Sequence, residues 1–261
     1  MGCGDWIMAT GHVRELFERH RVPVLVVGAH GKPMWHEVFD NNPKIIRKPH
    51  IRQQYVRLVS GGGYRPYIER KEPQKWTWKP YTPPVGELFF TAAELAFAEP
   101  YRGMVMVEPS VKAATGHHNK AWLPERWRQL TDALMLPWVQ CGPPETNWLP
   151  GVSARVVTPT FRHAAAVLSV CNAFVSTEGG LHHAAAAVGT PSVILWSEFI
   201  DTSVTGYATM RNLRHAGPAC GMRVDCPGCR ASMARITVDE VARNLWEILD
   251  EGRPGVALAG S

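Results

Sequence analysis

The sequence lacks any apolar run approaching the about 18 residues of a membrane-spanning helix, which argues against an α-helical anchor. Its opening stretch, MGCGDWIMATGHVRELFERH, has an acid early and no long apolar core, so it does not read as a secretory leader. Cysteine is sparse. The six that occur, at positions 3, 141, 171, 220, 226 and 229, do not make the dense framework of a small secreted domain and are expected to be reduced. No internal repeat or low-complexity tract is present. With 45% hydrophobic and 20% charged residues over 261 positions, the chain has the composition of one large globular domain or two small ones, expected to be soluble and cytoplasmic.

What is present is unevenly distributed. The formal charge is +5, yet between Lys44 and Lys79 ten basic residues face two acids, giving that segment +8 and leaving −3 for the rest. Tyr55, Tyr64, Tyr67, Trp76 and Trp78 are interleaved with these charges. Such a pattern suits an anionic partner with flat groups to stack on, such as nucleic acid, or equally a solvated, loop-rich face. Tyr64, Arg65, Trp76 and Trp78 are the candidate acceptor contacts.

Apolar spacing predicts a helix over 8–20, through Met8, Val13, Leu16 and Phe17, and VPVLVVG at 22–28 reads as a buried strand. From 41 to 100 the turn signals NNP, SGGGY, KEP, YTPP and AEP break the pattern, and a boundary is expected near Pro100, dividing the chain into domains 1–100 and 101–261. Beyond it the order is regular. MVMVEP, WVQCG, ARVVTPT, AFVS and PSVILWS read as strands; PERWRQLTDALM, FRHAAAVLSVC, a stretch from Leu181 and ITVDEVARNLWEILDEG read as helices. The last opens with Thr237 and Glu240 at capping-box spacing and closes at Gly252. Alternation of this kind predicts an α/β fold whose parallel sheet is covered on both faces and binds ligands at the carboxyl ends of its strands.

At such an end lies FVSTEGGLHHAAAAVGTP, 174–191, an acid, two glycines and two histidines between strand and helix. Free amides and the positive end of a helix dipole meet there, a ready place for phosphate. EGGLHHAAAAVGTP is similar to the acidic-small-Gly-x-x-His-x-Ala-Ala-Ala-x-Gly-x-Pro signature of the heptosyltransferase-like glycosyltransferases, glycosyltransferase family nine, with Glu178 where aspartate is usual. KAWLPERWRQL resembles that family's Lys-x-Trp-Pro element with one extra residue, and GCGDWIMAT resembles its Gly-x-Gly-Asp loop; NNPKI is similar to its Asn-Pro element. The resemblance implies a GT-B-like fold, two Rossmann-like domains with parallel sheets facing across a cleft, the N-terminal one reduced. It also implies inverting sugar transfer with no required metal. The family's strand before Gly-x-Gly-Asp is expected to be absent or supplied otherwise, because Gly2 directly follows Met1.

The resemblance assigns roles residue by residue. Asp5 matches the catalytic base that takes the acceptor hydroxyl's proton; an aspartate here could also simply cap a helix. Lys120 matches the lysine at the donor diphosphate, where charge grows as the glycosidic bond breaks. Gly179, Gly180 and Leu181 bring helix amides to the same phosphates, Glu178 would accept from sugar or ribose hydroxyls, and His183 would donate to a phosphate or pack. His182 is expected to pack or face solvent, His117 and His118 to lie in a solvated turn, and nothing singles out Arg223 or Arg230.

Cys220, Cys226 and Cys229, with His215 near, could complete a zinc site, but the irregular C-x5-C-x2-C spacing weighs against one and no cofactor is expected to be required beyond the nucleotide-sugar co-substrate. The function expected is a nucleotide-sugar-dependent glycosyltransferase whose anionic acceptor is a lipopolysaccharide-type saccharide or a modified base in DNA. The alternative is a non-catalytic nucleotide- or nucleic-acid-binding protein on the same fold.

Overall fold

Glycine is a poor helix former, yet the computed structural model, which describes residues 2–60, 65–111 and 117–251, begins helix α1 (Cys3–His20) at the glycine-rich GCGD, ahead of the stretch that apolar spacing predicts. Close packing accounts for the glycines. A Cβ on Gly4 would fall 2.3 Å from Cδ2 of His183, and one on Gly11 would fall 2.7 Å from Cβ of Pro84. Arg21, left-handed at φ 55°, ends the helix by donating its N–H to the Phe17 carbonyl at 2.7 Å.

Strand β1 (Val24–Gly28) follows and pairs in parallel with β2 (Val56–Ser60), the two joined through a single 3-10 turn at Glu37–Phe39 among the described residues. An antiparallel hairpin, β3 (Ile68–Lys71) and β4 (Trp76–Trp78), comes next. Helix α2 (Ala92–Ala98) starts at a capping box in which Thr91 Oγ1 accepts the Glu94 N–H and Glu94 Oε2 accepts the Thr91 N–H.

The remainder alternates: β5 (Val105–Glu108), α3 (Pro124–Ala133), β6 (Trp138–Gly142), β7 (Ala154–Val157), α4 (Phe161–Val170), β8 (Ala173–Thr177), α5 (Gly180–Val188) and β9 (Ser192–Trp196). Then come α6 (Thr202–Thr205), β10 (Arg211–Arg214), α7 (Pro227–Arg235) and α8 (Val238–Glu251). Six strands form one parallel sheet in the order β10-β9-β8-β5-β6-β7. The predicted α/β, GT-B-like architecture is therefore present, with the N-terminal part reduced to a two-stranded parallel sheet and a hairpin. From β5 the chain runs outward through β6 and β7, then returns to build β8, β9 and β10 on the other side. The carboxyl ends of β5 and β8 thus flank the point where strand order reverses, the usual ligand crevice of such sheets.

Side chains alternate between two cores, as a pleated sheet requires. Met106, Phe174, Ile194 and Trp196 point to one face; Val105, Val107, Val175, Val193 and Leu195 point to the other. The first face is covered by α4, α5 and α1, whose Trp6, Ile7, Met8, Ala9 and Val13 are buried, and the second by α3 and α8. Arg162 of α4 and Glu94 of α2 form a buried bidentate pair at 2.6 and 2.8 Å; Arg162 also donates to the Phe89 carbonyl at 2.6 Å, fastening the N-terminal part to the sheet. No described helix is long and apolar enough to cross a membrane.

Candidate active site

Two helix N-termini meet at the switch point. β8 delivers Glu178 to its carboxyl end, and Gly179 and Gly180 turn the chain into α5. The first turn of α1 abuts it: a Cβ on Gly180 would lie 3.7 Å from the Gly4 amide nitrogen, and Gly4 itself rests on the His183 ring. Gly4 admits no side chain against that ring, and the first turns of the two helices lie side by side. Partial positive charge accumulates there from both dipoles.

Each end carries a carboxylate held by a cation. Asp5, buried in the first turn of α1, accepts from Tyr67 Oη at 2.7 Å, from Arg65 Nε at 2.8 Å and from the Gly2 N–H at 3.3 Å. Three donors leave one of roughly four lone-pair positions on an ionised carboxylate. Burial, with Asp5 beside it, holds the Tyr67 hydroxyl well above its ordinary range, so it stays a donor. On the other side, Lys120 Nζ pairs with Glu178 Oε2 and sits 4.9 Å from the centre of the Phe199 ring. Its position follows from the 3-10 turn His117–Lys120, which returns the chain to the crevice after β5.

The two histidines are buried at this end of α5. The His182 ring is fully buried; its Nδ1 accepts the Gly179 N–H at 3.2 Å and its Nε2 donates to the Thr205 carbonyl at 2.9 Å. His183 is buried against the Tyr207 hydroxyl, 2.8 Å from its Nδ1, and desolvation, aided by His182 and Lys120, holds it neutral, well below the usual histidine range. It separates α1 from α5. Of the residues anticipated for a site, Asp5, Lys120, Glu178, Gly179, Gly180, Leu181 and His183 lie together, and Arg65 joins them through Asp5.

The aromatic acceptor candidates are engaged otherwise. Trp78 Nε1 donates to the Phe199 carbonyl at 3.0 Å and its ring stacks on Tyr67 at 6.1 Å. Trp76 lies under two guanidiniums, Arg65 at 5.3 Å and Arg223 at 4.5 Å. Tyr64 lies outside the described residues. The basic segment is partly neutralised from outside it, through Lys44 on Glu87 at 2.8 Å, Arg47 near Asp40 at 3.7 Å and Arg65 on Asp5. Charge counted along the chain therefore overstates the field this surface presents.

Tyr67 and Phe199 were not singled out by the sequence, and no local signal could have found them: each meets its partner across dozens of residues. His215 corrects another expectation. It does not join the cysteines but pairs with both carboxylate oxygens of Glu240 at 2.8 Å, while Cys220, Cys226 and Cys229 gather without it. His118 approaches Asp225 at 3.8 Å on the surface, consistent with a solvated turn.

A helix N-terminus, a lysine and two carboxylates thus lie together at the carboxyl edge of the α/β sheet. Residues 87–212, just under half of the chain, match the family model described as glycosyltransferase family 9 (heptosyltransferase), so the resemblance read from the motifs holds for this segment. Among solved structures, a glycosyl transferase family 9 protein from Veillonella parvula superposes with a TM-score of 0.63 at 13% identity, covering 96% of this chain and 95% of that one. The iron-containing dodecameric glycosyltransferase TibC from enterotoxigenic E. coli gives a TM-score of 0.61 at 13% identity, over 96% of this chain and 74% of that one. ADP-heptose lps heptosyltransferase II of E. coli gives 0.48 at 19% identity; this chain spans 69% of itself and only 56% of that protein's length. No curated protein matches the sequence.

Proposed function

We propose that the chain is an inverting, nucleotide-sugar-dependent glycosyltransferase with its donor diphosphate at the β5–β8 switch point. The observation that carries this reading is the convergence of the α5 N-terminus and Lys120 opposite Asp5. A diphosphate entering there competes with Glu178 for the Lys120 ammonium, which frees Glu178 for sugar or ribose hydroxyls. Lys120 and the helix amides then stabilise the negative charge that grows on the leaving phosphate oxygen. The acceptor oxygen attacks the anomeric carbon from the opposite face, the carbon–oxygen bond to the phosphate breaks, and Asp5 takes the hydroxyl proton through its remaining lone pair. Arg65 and Tyr67 fix the carboxylate in place. The description of family 9 as heptosyltransferases supports a heptose-type donor, and a nucleotide-sugar donor is compatible with a cytoplasmic enzyme acting on a saccharide.

The assay is release of nucleoside diphosphate from a panel of nucleotide sugars with oligosaccharide acceptors. Acceptor-dependent release from one donor is expected; binding of nucleotide sugars without turnover on any acceptor would move the protein to the non-catalytic alternative, a reading favoured by the three donors already on Asp5. Modified DNA is the acceptor only if DNA binds with an affinity that falls steeply as salt rises.

A further inference from the structure

The thiols of Cys220, Cys226 and Cys229 come together although their spacing in sequence is irregular. Cys220 Sγ lies 3.4 Å from Cys229 Sγ and 3.8 Å from Cys226 Sγ. These separations are far beyond the about 2.05 Å of a disulfide bond. They are close to the about 3.8 Å edge of a tetrahedron of sulfurs, each about 2.3 Å from a central metal. Cys226-Pro227-Gly228-Cys229 forms the knuckle that opens α7, with Pro227 in its first turn, and Cys226 and Cys229 are buried. The Met222 N–H points at Cys220 Sγ at 3.5 Å. Glu198 packs on the same knuckle: a Cβ on Gly228 would fall 2.4 Å from Glu198 Oε2 and 3.8 Å from Cys226 Sγ.

The loop these thiols close is fastened to both sides of the crevice. Asn119, buried and next to Lys120 in sequence, donates to the Met222 and Val224 carbonyls at 2.8 Å each and accepts the Cys226 N–H at 3.0 Å. On the other side the Trp76 N–H meets the Gly221 carbonyl at 2.9 Å and the Arg223 N–H meets the Gln74 carbonyl at 2.8 Å. Gly221, at φ 63°, admits no side chain there, since a Cβ would sit 1.8 Å from the Trp76 carbonyl oxygen. The loop is thus a strap between the β3–β4 hairpin and the turn carrying Lys120. At the end where the sulfurs stand, the Cys220 N–H meets the Glu198 carbonyl at 2.7 Å and the Gly221 N–H meets the Phe199 carbonyl at 3.0 Å.

We propose that Cys220, Cys226 and Cys229 bind one thiophilic metal ion, zinc or iron, as thiolates in a tetrahedral site, and that this ion fixes the 220–226 strap between the hairpin and the Asn119–Lys120 turn. Glu198 or a water completes the coordination. Binding releases the thiol protons to solvent. The site does not depend on the chain transferring a sugar.

The test is metal content of the chain purified without chelator, by mass spectrometry, with cobalt substitution as the optical probe. One zinc or iron per chain is expected, iron being distinguished by its thiolate colour; cobalt should give the charge-transfer and intense visible bands of a tetrahedral thiolate site. Cys226→Ser with Cys229→Ser should lose metal and bands. Because that variant could fail to fold, hydrogen exchange is also followed in the wild-type chain before and after chelation. The amides of Trp76, Arg223 and Cys226 should exchange at least tenfold faster without metal, while those of β9 and α8 stay protected. A reduced wild-type chain that carries no metal and takes up no cobalt overturns the site, as does a disulfide among the three. Metal binding with unchanged exchange at those amides overturns the strap.

Discussion

The N-termini of α1 and α5 start from the same ingredients, glycines before a helix and an acid paired with a base, and they end in different states. At α1 the acid lies inside the helix and its oxygens are taken by a guanidinium, a phenol and an amide. At α5 the acid precedes the helix and pairs with Lys120, whose ammonium lies 4.9 Å from the centre of the Phe199 ring. The first arrangement is fixed geometry around a charge that must stay put until a proton arrives. The second is exchangeable, because a diphosphate can replace one carboxylate on an ammonium that has other donors to spare. The lesson is that helix-end electrostatics alone do not assign a role; the partners that hold each acid differ as well.

That contrast breaks most visibly at Asp5. Asp5→Asn keeps the shape but cannot take a proton, so initial rates of nucleoside diphosphate release, read well below the melting temperature, should fall about 100- to 10,000-fold, and loss of the Arg65 pair should also lower the melting temperature. Full turnover would remove Asp5 from the chemistry and leave it a helix cap. Next comes the seam between the two helices. Gly4→Ala places a methyl group 2.3 Å from the His183 ring and should destabilise by about 1–3 kcal/mol, measured by denaturant unfolding, with His183→Ala in the same chain recovering part of the loss. A neutral Gly4→Ala would mean the helices are not in contact.

The smallest effect is pH-dependent. Buried His183 is held below its ordinary 6.5, so under acid the unfolded chain binds a proton that the folded chain refuses. Its share of stability is complete above pH 6.5 and is lost as pH falls, by at most about 1.4 kcal/mol per pH unit. Comparing wild type with His183→Gln between pH 7.5 and 5.5 by thermal unfolding should show a steeper decline in wild type; parallel curves would mean the ring titrates freely.

Much of the sheet could be read in advance because its strands are doubly covered and therefore continuously apolar: MVMVE, WVQCG, AFVST and SVILW became β5, β6, β8 and β9. The Arg211–Arg214 strand escaped notice because RNLR, at the sheet edge, offers neither an apolar run nor clean alternation. The capping pair before α8 was half legible: Thr237 Oγ1 does accept the Glu240 N–H at 3.2 Å, but the Glu240 carboxylate turns to His215 instead. The expected closure at Gly252 lies outside the described residues. In the site, Glu178, Gly180 and Lys120 were visible because motif and helix start coincide. Arg65 and Tyr67 around Asp5 were not assigned to it, since that contact spans about sixty residues of irregular chain and no periodicity encodes it. The hairpin's tryptophans have neighbours both in their own segment, Arg65 and Tyr67, and in the 199–223 region, Phe199 and Arg223, and only the first were within reach of a local reading.

The central claim is that a diphosphate binds at the reversal of strand order against Lys120. Titrating nucleoside diphosphates into the wild-type chain and into Lys120→Ala by calorimetry tests it most directly. One binding site, weakened about 10- to 100-fold by the substitution in an otherwise stable chain, is the predicted result. Equal affinity in both chains would contradict it.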